Sequence, residues 1–61
     1  MTPTTFAAIR KRAGLTQTEL ARLLRIEDIR TIRRYEQGER AVSGPVSLLM
    51  EQIDAGSLKP G

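Results

Sequence analysis

The feature that most limits this chain is an absence: its 61 residues include neither cysteine nor histidine. No disulfide and no thiolate or imidazole metal site can brace the fold, and a zinc site made of carboxylates alone would be unusual. A chain of this length buries only roughly 60% of the surface that its unfolded form exposes. Folding must rest on closely packed apolar side chains and well-capped elements, or draw on a partner chain. One domain is the most this length can hold. The lack of cysteine fits a reducing cytoplasm. No secretory leader is visible, because the basic cluster Arg10-Lys11-Arg12 follows the first apolar stretch instead of preceding it. No apolar run approaches a membrane span. A soluble, cytoplasmic protein without cofactor or metal is expected.

Start and stop residues divide the chain into four helical segments, and no segment reads as a strand. The first spans about Pro3 to Ala13, with Thr2 as cap, Pro3 in the first helical position and Gly14 as terminator. Phe6, Ile9, Arg10 and Ala13 share one face. The second carries the clearest start signal: Thr16-Gln17-Thr18-Glu19 has the spacing of a capping box, with Leu15 and Leu20 as a hydrophobic staple. Leu20, Leu23 and Leu24 form its buried stripe. Arg25-Ile26-Glu27 breaks the periodicity and reads as a turn, with Ile26 directed to the core. The third segment spans about Asp28 to Gln37, with Glu27 or Asp28 at its start and Gly38 after its end. The fourth spans about Gly44 to Ala55, capped by Ser43, with Val46, Leu49, Met50 and Ile53 at helical spacing and Gly56 as its stop. Residues 1–56 form the expected domain, and residues 57–61 a loose tail.

Charge adds a direction. The formal net charge is +3. All the basic residues except Lys59 lie between Arg10 and Arg40, and all except Lys11 and Lys59 are arginine. Arginine's planar fork suits phosphate and guanine. On the third segment, with Ile32 at zero, Tyr35 falls at about −60° and Glu36 at about +40°. Arg30, Arg34 and Gln37 fall at about 140–200° and Arg33 at about 100°. Ile32 and Tyr35 therefore face the core, and the arginines project the opposite way. Two short helices joined by a tight turn, the second with a basic outer face, describe a helix-turn-helix that reads the major groove of double-stranded DNA. Gln17, Thr18 and the amides after Thr16 suit a phosphate contact.

Gly14-Leu15-Thr16-Gln17-Thr18-Glu19-Leu20-Ala21, followed by Thr31-Ile32-Arg33-Arg34-Tyr35-Glu36-Gln37-Gly38, resembles the Cro/CI-type (XRE) repressor family. The resemblance covers roughly Phe6 to Ile53. It implies an all-α, lambda-repressor-like domain of four helices, or five if the C-terminal residues add one. It also implies base contacts from Arg30, Arg33, Arg34 and Ile29. Phosphate contacts would come from Gln17, Thr18, Thr31, Gln37 and Arg40, and a structural ion pair would join Arg10 to Glu36. Family members of this kind dimerise on a near-palindromic operator.

Two departures stand out. Arg25 occupies a turn position where the family commonly has glycine. One extra residue separates Leu24 from Thr31, which leaves Asp28, Ile29 and Arg30 as alternatives for the first base-reading position. The function expected is a sequence-specific repressor, autoregulating a small phage, prophage or toxin–antitoxin operon. The competing reading is a protein-interaction module, such as an antitoxin with its basic face on an acidic partner. Catalysis is not expected, because the sequence has no histidine, cysteine, phosphate-binding glycine loop or plausible carboxylate pair.

Overall fold

A computed structural model describes residues 1–58. Within them the chain forms α1 (Pro3–Arg12), α2 (Gln17–Leu23), α3 (Ile29–Gln37) and α4 (Gly44–Asp54), with no strand. The arrangement is all-α, as the residue pattern anticipates. Each boundary lies within a residue or two of the one expected, because each helix has a side-chain cap. The Thr2 hydroxyl accepts from the Thr5 amide at 3.1 Å, and the Ser43 hydroxyl from the Val46 amide at 3.4 Å. At α2 the capping box is complete: the Thr16 hydroxyl accepts from the Glu19 amide at 3.1 Å, and the Glu19 carboxylate accepts from the Thr16 amide at 2.9 Å. The Thr16 backbone and hydroxyl hold the Glu19 carboxyl below its ordinary pKa. Of the two candidate caps for α3, Asp28 fills the position.

Helix α3 is the hub, packing against both α1 and α2, while α4 packs against α1. Phe6, Leu20, Ile32 and Met50 are fully buried, with one contributed by each helix. Ile9, Leu15, Ala21, Leu24, Tyr35 and Ile53 complete the core, and Leu23, Ile26, Val42, Val46 and Leu49 pack around it. The Phe6 and Tyr35 rings meet at 5.4 Å with a 51° tilt, a favourable aromatic arrangement. Two details differ from the periodicity. Ala13, at the end of α1, is exposed, and Ala21 is buried where α2 lies close to the bundle. No helix of the described residues is long and apolar enough to cross a membrane.

The expected loose tail begins differently. The Ser57 amide donates to the Gln52 carbonyl at 2.9 Å, and Leu58 folds back against the core instead of trailing into solvent. The rest of that segment, residues 59–61, lies outside the described residues.

Three helices end on a residue of positive φ that is glycine: Gly14, Gly38 and Gly56. Gly38 is constrained twice over, since a Cβ there would also lie 3.3 Å from Pro3 Cγ. Helix α2 ends the same way on Arg25, at φ 59°. The Ile26 amide donates to the Ala21 carbonyl at 2.8 Å and the Arg25 amide to the Arg22 carbonyl at 3.2 Å, the paired bonds of a Schellman ending. Left-handed backbone costs an L-residue about 1–2 kcal/mol, whereas glycine adopts it freely but loses about 0.5–1 kcal/mol of backbone entropy. Arg25→Gly should therefore stabilise the fold by about 0.5–1 kcal/mol, raising the melting temperature by ~2–8 °C. Arg25→Val should lower it, because a branched side chain fits left-handed backbone worse. Thermal denaturation of both variants checks the pair.

Candidate nucleic-acid interface

The exposed side of α3 presents Arg30, Arg33, Arg34 and Gln37, and its opposite side buries Ile32 and Tyr35. Ile29 and Thr31, on its flanks, are half-buried. With Asp28 as cap, Ile29 is the first residue of the helix and Arg30 the second. The loop between α2 and α3 therefore runs from Leu24 to Asp28 and holds the left-handed turn at Arg25. Arg33 and Arg34 form no ion pair among the described residues. Arg30 does: its Nε lies 3.1 Å from both Asp28 carboxylate oxygens, and its Nη2 is 3.0 Å from Oδ2. Past Gly38 the chain bends back over the end of α3, where the Glu39 and Arg40 amides reach the Arg34 carbonyl at 3.0 and 3.4 Å. That bend keeps the exposed Arg40 beside the C-terminal end of α3.

A polar network fixes how this surface is presented. Arg10 Nε and Nη2 donate to Glu36 Oε2 and Oε1 at 2.6 and 3.1 Å, a fork-to-fork pair. Its third nitrogen, Nη1, donates to the Leu15 carbonyl at 2.9 Å, at the turn between α1 and α2. The Gln17 side-chain amide donates to Glu36 Oε1 at 3.3 Å. Side-chain exposure of the pair is 14% and 11%, so water screens it poorly. One carboxylate at the core-facing edge of α3 thereby holds α1 directly and α2 through Gln17.

The ion pair expected between Arg10 and Glu36 is therefore present. The attachment of Gln17 to it is not visible in the sequence. Gln17 and Thr18 are the first two residues of α2, half-buried and exposed respectively. The Gln17 amide nitrogen carries two hydrogens, so donating one to Glu36 leaves the other for a phosphate oxygen. Two further pairings also escape sequence reasoning. One is the surface bridge from Arg12 Nη2 to Asp54 at 2.9 Å, which joins the ends of α1 and α4. The other is the Asp28–Arg30 clamp, whose only signal is an acidic cap two residues ahead of an arginine.

Removing one partner of a buried ion pair strands the other. Glu36→Ala should lower stability by about 2–4 kcal/mol, the lower end reflecting partial exposure, while Arg12→Ala at the exposed bridge should change it by less than about 1 kcal/mol. Urea denaturation of the two variants measures the contrast.

Comparison with known protein families matches the helix-turn-helix family over residues 6–54. No curated protein and no solved structure gave a match. The matched span begins at Phe6, a core anchor of α1, and closes with the last residue of α4, so it takes in the whole hub around α3. The chain belongs to the Cro/CI-type (XRE) helix-turn-helix family, a family of DNA-binding transcription regulators.

Proposed function

We propose that the chain is a sequence-specific transcriptional repressor that binds double-stranded DNA through α3. The observation that carries this reading is the division of α3 into two faces: Ile32 and Tyr35 are buried in the core, and Arg30, Arg33, Arg34 and Gln37 are exposed on the opposite side. A helix of this diameter fits the major groove, where arginine donates to guanine O6 and N7. In this reading Arg30 and Arg34 read bases, Arg33 stands at the groove edge, and half-buried Ile29 offers an apolar contact to a thymine methyl. Gln17, Thr18, Thr31, Gln37 and Arg40 contact phosphates, which set register without reading sequence.

The proposal includes two copies on a near-palindromic operator, because one α3 reads only a few base pairs and a two-fold pair doubles the site. Repression then needs nothing beyond occupancy: a bound dimer blocks polymerase. The setting proposed is a bacterial or phage-infected cytoplasm, with the protein controlling its own small operon of phage, prophage or toxin–antitoxin type.

Gel-shift titration with the DNA upstream of its own gene tests this function. Affinity should fall by on the order of 10³ between about 50 and 200 mM salt if the arginines of the two copies together neutralise six phosphates. Arg34→Ala should cost about 1–3 kcal/mol on the specific site and relax preference at one position, whereas Gln17→Ala should weaken all duplexes alike. Affinity independent of salt, or equal for random duplex, would count against this function, and a co-purifying acidic protein with no DNA binding would favour the interaction module instead.

A further inference from the structure

We infer that Asp28 is a positioning residue for base recognition: its carboxylate clamps the Arg30 guanidinium so that the free edge of that fork meets a guanine. The inference rests on the reading of α3 as the base-reading helix.

The geometry is specific to one arginine. Asp28 accepts from the Arg30 backbone amide at 2.9 Å, as a helix cap. The same carboxylate accepts from Arg30 Nε at 3.1 Å on each oxygen, and Nη2 lies 3.0 Å from Oδ2. One acidic group thus starts α3 and fixes the side chain of its second residue. A guanidinium has five N–H donors in one plane. Asp28 takes the Nε hydrogen, on the side edge, and lies at ion-pair distance from Nη2. The end edge, formed by Nη1 and one hydrogen of Nη2, remains free. Two parallel donors of that kind match guanine O6 and N7. The arginine and aspartate side chains keep 71% and 48% of their exposure, so the free edge opens to solvent. A long exposed side chain otherwise samples many rotamers and loses that freedom on binding. The clamp removes part of this loss beforehand.

Both groups are ionised at neutral pH. Pairing with Arg30 holds the Asp28 carboxyl below its ordinary range and raises the Arg30 guanidinium above its own. Arg34 also draws on the Asp28 charge, more weakly. Both partners therefore stay charged wherever DNA binding is measured near neutrality.

The test is selection from a random double-stranded oligonucleotide library with the full chain, its Asp28→Asn, its Arg30→Ala and the double variant. Asparagine caps a helix about as well as aspartate, and thermal denaturation checks that the fold is retained. The unaltered chain should enrich a site containing a guanine whose preference Arg30→Ala abolishes. Asp28→Asn should weaken preference at that same guanine by about 5–10-fold, part of what a full bidentate contact discriminates. Its affinity for duplexes lacking the guanine should stay within about twofold, and the double variant should match Arg30→Ala alone.

Full guanine preference retained in Asp28→Asn but lost in Arg30→Ala would leave Asp28 as a cap only and overturn the inference. Tighter, more selective binding by Asp28→Asn would show that the carboxylate masks the arginine, and would also overturn it. So would a changed preference at a position that Arg30→Ala leaves untouched, since Asp28 would then read a base itself. If Arg30→Ala keeps every preference, base reading by Arg30 fails and the inference with it. If the unaltered chain enriches nothing, DNA reading by α3 is refuted as well.

Discussion

The two-pronged contact between Arg10 and Glu36 organises this domain. It joins α1 to the hub helix α3, reaches the turn before α2 through the Leu15 carbonyl, and takes hold of Gln17 at the start of α2. The apolar core alone would hold these helices together, but apolar contacts are weakly directional and tolerate repacking. Charged hydrogen bonds at fixed angles add what the core lacks, one preferred orientation of α2 against α3. A partly buried pair of this kind contributes little net stability over an apolar substitute, so order is its larger effect. Removal of one member is a different matter, since it leaves a screened-off charge with nothing to balance it.

The second constraint is how the helices stop. In so short a chain the segments must turn sharply, and positive φ after each helix is the means. Glycine supplies it three times. At Arg25 the chain adopts the same conformation with a side chain present, between the two helices whose relative placement matters most. The turn keeps the Schellman bonds to Ala21 and Arg22, so the chain leaves α2 in a defined direction. The local strain is tolerated because Ile26 packs against the core beside it.

Much of this was legible in the sequence, for identifiable reasons. Capping signals are local, so Thr16-x-x-Glu19, Pro3 and Gly38 marked helix ends before any packing was known. Amphipathic period is equally local, and Ile32 and Tyr35 fell on the buried side of α3 as their angles require. The Arg10–Glu36 pair was accessible only through resemblance, because no local pattern joins residues so far apart in the chain. The contact of Gln17 with Glu36 and the packing of Leu58 depend on the angles between helices, which periodicity does not encode. The Asp28–Arg30 clamp depends on a rotamer choice. Ala13 shares the helical phase of Phe6 and Ile9 yet is exposed, because phase alone does not show where packing ends.

The central claim is that the arginine face of α3 lies in the major groove. Methylation interference on a selected duplex tests it most directly, because dimethyl sulfate modifies guanine N7 in the major groove and adenine N3 in the minor groove. Guanine N7 methylation within each half-site should abolish binding, with the affected guanines of the two half-sites about one helical turn apart. Binding that ignores guanine N7 methylation and is blocked by adenine N3 methylation would contradict the account.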